Sequence, residues 1–239
     1  MLRALLDPLL SVIYPQECHV CGEAVDSIGD GVACVDCWNR TRLFDPGDKL
    51  CDRCGALPLG SENSCRECTN AEFDRAIAAG VYEHALAATV LRLKSMPHLP
   101  DHARKAIKNR LANFEFAEKA VIVPVPLSRR RKFERGFNQA EILAEIVSGV
   151  TGLPILSSCL ARKTHTNFHR VAMDKTEREK SVEKAFEVRA PRLIEEREVL
   201  LLDDVLTSGA TASACALALK KKGAASVTVI TLARAVMRN

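Results

Sequence analysis

Residues 203–211 read Asp-Asp-Val-Leu-Thr-Ser-Gly-Ala-Thr and directly follow the apolar run Val199-Leu200-Leu201-Leu202. A continuous apolar run of this length suits a strand buried on both faces. Behind it, Thr207, Ser208 and Thr211 offer hydroxyl donors, Gly209 and Ala210 permit close backbone approach, and no acidic side chain lies within the loop to repel an anion. These residue types make a phosphate cradle, provided the turn leads from a strand into a helix whose first amides and dipole point at the ligand. Asp203 and Asp204 close the strand just before the cradle. Two adjacent carboxylates can accept hydrogen bonds from sugar hydroxyls, directly or through a hydrated Mg²⁺ that a phosphate shares. A strand followed by one helix-capping residue would explain a single polar side chain, but not two acids and a hydroxyl-rich loop.

A second chemistry lies in the cysteines. Eight of the ten fall in four Cys-x-x-Cys pairs: Cys18/Cys21, Cys34/Cys37, Cys51/Cys54 and Cys65/Cys68. Two intervening residues let both sulfurs of a pair converge on one ion, and two pairs complete a tetrahedral site. Four pairs therefore predict two structural zinc ions, and four thiolates around each leave no open position for a reacting water. A redox dithiol needs one exposed pair and gives no reason for four. Sequential grouping and an interleaved cross-brace both satisfy the spacing. Gly22 and Gly55 follow the second cysteine of a pair, where the turn calls for positive φ. Trp38 is expected to cover a small ribbon core, and Cys159 and Cys215 to behave as buried small hydrophobes.

The elements that must hold these groups follow from composition. In 239 residues with 47% hydrophobic content there is material for one α/β core and a smaller module. The expected division is 1–72, a short amphipathic helix near Leu2–Ile13 plus the double ribbon, and 73–239, a parallel sheet with crossover helices. Asp7 and Pro8 interrupt the first apolar stretch, so no membrane insertion is expected. Metal-bound thiolates point to a reducing compartment, the cytoplasm. After the cradle an alanine-rich helix should run to about Lys222, Gly223 should cap it, and a strand should span Ser226–Leu232, completing a βαβ unit. A second strand, Val121–Val125, precedes Arg129-Arg130-Arg131-Lys132-Phe133-Glu134-Arg135 and a helix to about Val147. Of these, Arg129, Arg131 and Arg135 are candidates to face a diphosphate across the same strand ends.

Apolar strand, Asp-Asp, two residues and Thr-Ser-Gly-Ala-Thr resembles the phosphoribosyl diphosphate (PRPP) motif of type I phosphoribosyltransferases. With Pro124-Val125-Pro126, Arg135-Gly136-Phe137-Asn138-Gln139 and the cysteine module in front, the chain resembles the ComF family over almost its whole length. Tyr82, Leu93-Lys94, Glu177-Arg178 and Ala185-Phe186 are smaller echoes. The resemblance implies a type I phosphoribosyltransferase fold behind a double zinc ribbon. It also implies Mg²⁺-dependent phosphoribosyl transfer and a link to DNA uptake in natural transformation. Asp203 and Asp204 would serve ribose and metal, and 207–211 the 5′-phosphate. Where the family often has Gln near His169 and Asn near Ser181 this chain departs from the pattern. The polar stretch 160–186, readable as a hood or a solvated insertion, therefore receives no site residue.

Charge separates the readings that remain. Residues 1–72 hold six Lys and Arg against twelve Asp and Glu, net −6, so a total of +4 leaves +10 for 73–239. A polyanion should meet the second half. The alternatives to an enzyme are a single-stranded-DNA-binding protein, with Phe133 and Phe137 available to stack, and a non-catalytic PRPP sensor acting through competence or DNA-processing partners. No residue identifies an acceptor.

Overall fold

The structure, a computed structural model, describes residues 16–25, 31–57, 65, 68, 71–163 and 185–236. The amphipathic stretch 2–13 and most of the polar stretch 160–186 lie outside them. Among the described residues no helix is long and apolar enough to cross a membrane.

The first ribbon contains β1 (Gln16–Glu17) and β2 (Ala24–Val25), paired antiparallel, and α1 (Val35–Asn39). Then come β3 (Arg75–Val81), α2 (His84–Arg92), α3 (Asp101–Leu111), β4 (Val121–Pro124), α4 (Arg129–Arg135) and α5 (Gln139–Thr151). A small antiparallel pair, β5 (Leu160–Arg162) and β6 (Phe186–Val188), precedes β7 (Glu198–Leu206), α6 (Ala210–Lys220) and β8 (Ser226–Arg234). The main sheet has the order β3-β8-β7-β4 and is parallel throughout. Residues 199–202 of β7 and 227–233 of β8 are buried without a break, as central strands covered on both faces require. The α/β class with a cysteine module in front is thus what the chain adopts.

Five boundaries differ from the sequence reading. Strand β7 does not end at the acid pair, because Asp203 and Val205 still pair with Thr231 and Ala233 of β8. On its other side β4 stops at Pro124, opposite Leu202, so residues 203–206 of β7 keep β8 as their only ladder partner. Strand β8 correspondingly runs on to Arg234, and α6 ends at Lys220, with Gly223 at φ +95° beyond it. Helix α5 continues to Thr151, where Gly152 at φ +74° ends it in a left-handed cap.

Candidate functional site: the sheet edge and the cysteine centres

Two cysteine clusters are present, Cys18/Cys21/Cys34/Cys37 and Cys51/Cys54/Cys65/Cys68, with the four sulfurs of each within 4.8 Å of one another. The grouping is sequential, not a cross-brace. Zn–S bonds of about 2.3 Å arranged tetrahedrally require S···S separations of about 3.8 Å. The observed Cys21–Cys34, Cys51–Cys68 and Cys54–Cys65 separations are 3.7, 3.7 and 3.5 Å. The same turn is built twice. Cys18 N donates to Glu23 O and Gly22 N to Cys18 O, while Cys51 N donates to Ala56 O and Gly55 N to Cys51 O. Gly22 and Gly55 have φ of +82° and +64°, so the glycines supply the left-handed residue each turn needs.

Electrostatics shows why these clusters need a cation. Burial opposes ionisation of Cys18, yet the amides of Cys34, Cys21 and Val20 outweigh it and lower its pKa to about 6. Burial pushes Cys37 up to about 12, partly offset by the Arg40 guanidinium 3.2 Å from its sulfur, with Cys21, Cys18 and Cys34 adding repulsion. Burial and its cysteine neighbours likewise push Cys54 up to about 11. Four thiolates cannot share such a space without a divalent ion. These are two four-cysteine zinc-binding sites of structural type.

The other candidate residues gather at the carboxyl ends of the parallel strands. Asp203 is half-buried and Asp204 buried on β7, while Thr207, Ser208, Ala210 and Thr211 are exposed around Gly209. Gly209 begins α6 at φ +76°, and no side chain caps that helix. Nearby, α4 is capped by Ser128 and α5 by Asn138. The first amides of α6 are thus left to solvent or a ligand. Desolvation and then the charge of Asp204 push the Asp203 carboxyl up to about 8, and Lys94 pulls the other way. Asp204 accepts from Gln139 Nε2 at 3.5 Å, and Gln139 Oε1 accepts from Arg135 Nη1 at 2.9 Å. Of the three arginines singled out in the sequence, Arg135 is therefore joined to the acid pair. Arg129 and Arg131 are exposed on α4, which has no buried residue, and among the described residues neither has a hydrogen bond to 203–211. Arg130 is paired with Glu134 at 2.7 Å.

Sequence reasoning missed Arg234. It is 3% exposed, and its Nη1 donates to the carbonyls of Leu206 (2.9 Å), Thr207 and Ala235 (3.0 Å), fixing the strand-to-loop junction from the neighbouring strand end. The signal available was a lone cation ending the apolar strand 227–233. Also unforeseen is the backbone of His84, which opens α2 at φ +40° beside the end of β3. Cys159 and Cys215 are 2% and 0% exposed, as small core residues should be.

Residues 9–69 match a family model described as a double zinc ribbon domain. The chain is 26% identical over 211 residues to Competence protein F of Haemophilus influenzae, covering 84% of this chain and 90% of that protein. It is 27% identical over 230 residues to DNA utilization protein YhgH of Escherichia coli, covering 92% and 97%. Identity to Competence protein ComFC of Bacillus subtilis is 38% over 120 residues, or 48% and 44% of the two chains. Among solved structures, glutamine PRPP amidotransferase from B. subtilis matches 54% of this chain and 26% of its own at 22% identity, with a TM-score of 0.37. The double zinc ribbon, together with relatives that span most of the chain, fits a ComF family protein.

Proposed function

We propose that the chain binds PRPP with Mg²⁺ at the carboxyl edge of its sheet. There it transfers the phosphoribosyl group to an acceptor not yet identified, in the setting of DNA uptake or use that its relatives' names suggest. The observation that carries this reading is the succession of Asp203-Asp204, the exposed hydroxyl loop and the uncapped start of α6 at one strand end. The acid pair has the donor set for Mg²⁺ and ribose hydroxyls, and bound Mg²⁺ would neutralise diphosphate charge. Residues 207–211 would hold the 5′-phosphate through hydroxyls and amides. Transfer requires the acceptor's lone pair to attack the anomeric carbon while the bond to diphosphate breaks and its electrons leave with the diphosphate. Arg135, with Arg129 and Arg131, would meet that leaving charge. Asp204, which accepts a hydrogen bond from Gln139, would take the acceptor's proton. We place the division between ribbon and catalytic module near residue 72.

The test is release of diphosphate from Mg²⁺-PRPP in the presence of nucleobases, amines or single-stranded DNA, and its loss in Asp204→Asn. PRPP binding without turnover by any acceptor would favour a sensor.

A second reading, single-stranded DNA binding, is favoured by Phe133, which is 91% exposed on a cationic helix with no buried residue. Such a face suits base stacking beside phosphate contacts. Affinity that is unchanged between low and high salt would contradict it.

A further inference from the structure

Asn138 and Gln139 are adjacent, polar and buried, 4% and 6% exposed, at the start of α5. Local structure accounts for Asn138: its Nδ2 donates to Val125 O at 3.1 Å and its Oδ1 accepts from Ala140 N at 3.1 Å. It therefore caps α5 and ties the helix to the end of β4. Gln139 differs, because both of its hydrogen bonds go to charged side chains 65 and 4 residues away, Asp204 and Arg135. A guanidinium can only donate, so the oxygen of the Gln139 amide must face Arg135 and its nitrogen must face Asp204. A buried primary amide is costly unless both ends are satisfied, and here the two ends are satisfied by the two charged groups of the site. The asymmetry of the distances, 2.9 Å to Arg135 and 3.5 Å to Asp204, leaves the second bond with room to shorten when a ligand closes on the acid pair.

We propose that Gln139 is a positioning residue that joins Arg135 to Asp204. The cation at the edge of the basic helix and the acid at the end of β7 are thereby oriented as one unit. Given the PRPP reading on which its purpose rests, the relay sets the group for the diphosphate end of the ligand and the group for its ribose end in a fixed relation. It also singles out Arg135 from Arg129 and Arg131, which have no such link. Arg135 is half-buried and held, whereas the other two project from an exposed helix face.

A cycle of substitutions tests the relay in the zinc-loaded, ligand-free protein. Arg135→Ala, Asp204→Ala and the double variant are compared by urea unfolding, in the natural background and in Gln139→Leu and Gln139→Glu backgrounds. The relay predicts that the two changes are coupled by at least about threefold in the unfolding constant when Gln139 is present, and combine independently in both other backgrounds. Gln139→Glu keeps the side-chain volume and an acceptor for Arg135 but sets a carboxylate against Asp204, so it separates the relay from packing. Equal coupling in all three backgrounds, or none in the natural one, overturns the proposal. PRPP titration with Mg²⁺ supplies the readout that simple packing would not move. Gln139→Glu should weaken PRPP binding by about tenfold or more, measured well below its own thermal midpoint, which a buried carboxylate facing Asp204 lowers. An unchanged affinity overturns the positioning role. If the unsubstituted protein binds no PRPP, the reading of the loop fails, and the unfolding cycle still decides the relay.

Discussion

The two ribbons repeat one turn but are joined to different parts of the molecule. The first packs against α2, α3 and the outer edge of the sheet. Trp38 stacks on His102 with ring centroids 5.2 Å apart, and Thr41 Oγ1 accepts from Ala85 N at 3.0 Å. The chain at Arg42–Phe44 pairs along β3, with Val81 N donating to Arg42 O at 2.8 Å and Phe44 N to Ala79 O at 2.9 Å. This covers an edge strand that would otherwise expose its ladder groups. Gly80 is required there, since a Cβ would lie 2.4 Å from Arg42 O. The second ribbon instead reaches the loop 207–211 and the start of α6. Arg53 holds the carbonyls of Ala71 and Phe73, Glu72 N donates to Ser213 Oγ of α6 at 3.3 Å, and the Phe73 ring lies against Gly209. The lesson is that both zinc sites share a hydrophobic core with the sheet, while the second also buttresses the loop expected to bind ligand.

Breaking the zinc sites should give the largest effects, because structural zinc contributes on the order of 10 kcal/mol in small ribbons. Cys37→Ser should lose one equivalent of zinc and lower the melting temperature strongly, because its cluster shares a core with Leu99, Ala103 and Ile107. Cys54→Ser should also lose one equivalent and lower the melting temperature, because its cluster shares a core with Val121, Leu201 and Val229, but with a larger loss of PRPP affinity. Zinc content, melting and calorimetry together check this, and identical profiles for the two variants would remove the contrast. Next come the two aromatic links. Trp38→Ala and Phe73→Ala should each cost about 3–5 kcal/mol in chemical unfolding, but only Phe73→Ala should also weaken PRPP.

A smaller effect is expected at Gly209. At φ +76°, Gly209→Ala adds about 1–2 kcal/mol of strain. It also sets a methyl 3.4 Å from the Phe73 ring, so the affinity loss should exceed the stability loss. The last expectation is a pH effect. Burial and Asp204 raise the Asp203 carboxyl from 3.8 to about 8, so the folded state keeps a proton that the unfolded chain has lost. Asp203 therefore costs stability increasingly as pH rises from about 4 through 8. Asp203→Asn should flatten that slope in the ligand-free protein, and unfolding midpoints between pH 5 and 8 would show it.

Much of this was legible from local pattern. Cysteine spacing predicts two ions, and an apolar run followed by two acids and a hydroxyl loop predicts a strand, turn and helix. What local pattern could not supply depends on residues far apart in the chain. Equal spacings cannot distinguish sequential from crossed cysteine pairs, so that choice needed the fold. Val205 and Leu206 read as lying beyond the strand because they follow the acid pair, yet ladder bonds to β8 keep them extended. Trp38 reads as a ribbon core residue, but its partner His102 lies in the sheet domain. Arg234 and Gln139 gain their roles only when three strand ends and a helix start are brought together.

The central claim is that the edge at Asp203–Thr211 binds PRPP. Calorimetry on zinc-loaded protein with PRPP, with and without Mg²⁺, tests it directly, alongside Asp203→Asn/Asp204→Asn. The account predicts binding of about −8 kcal/mol, in the micromolar range, that requires Mg²⁺ and vanishes in the double variant. Absence of binding by the folded, unsubstituted protein would contradict it.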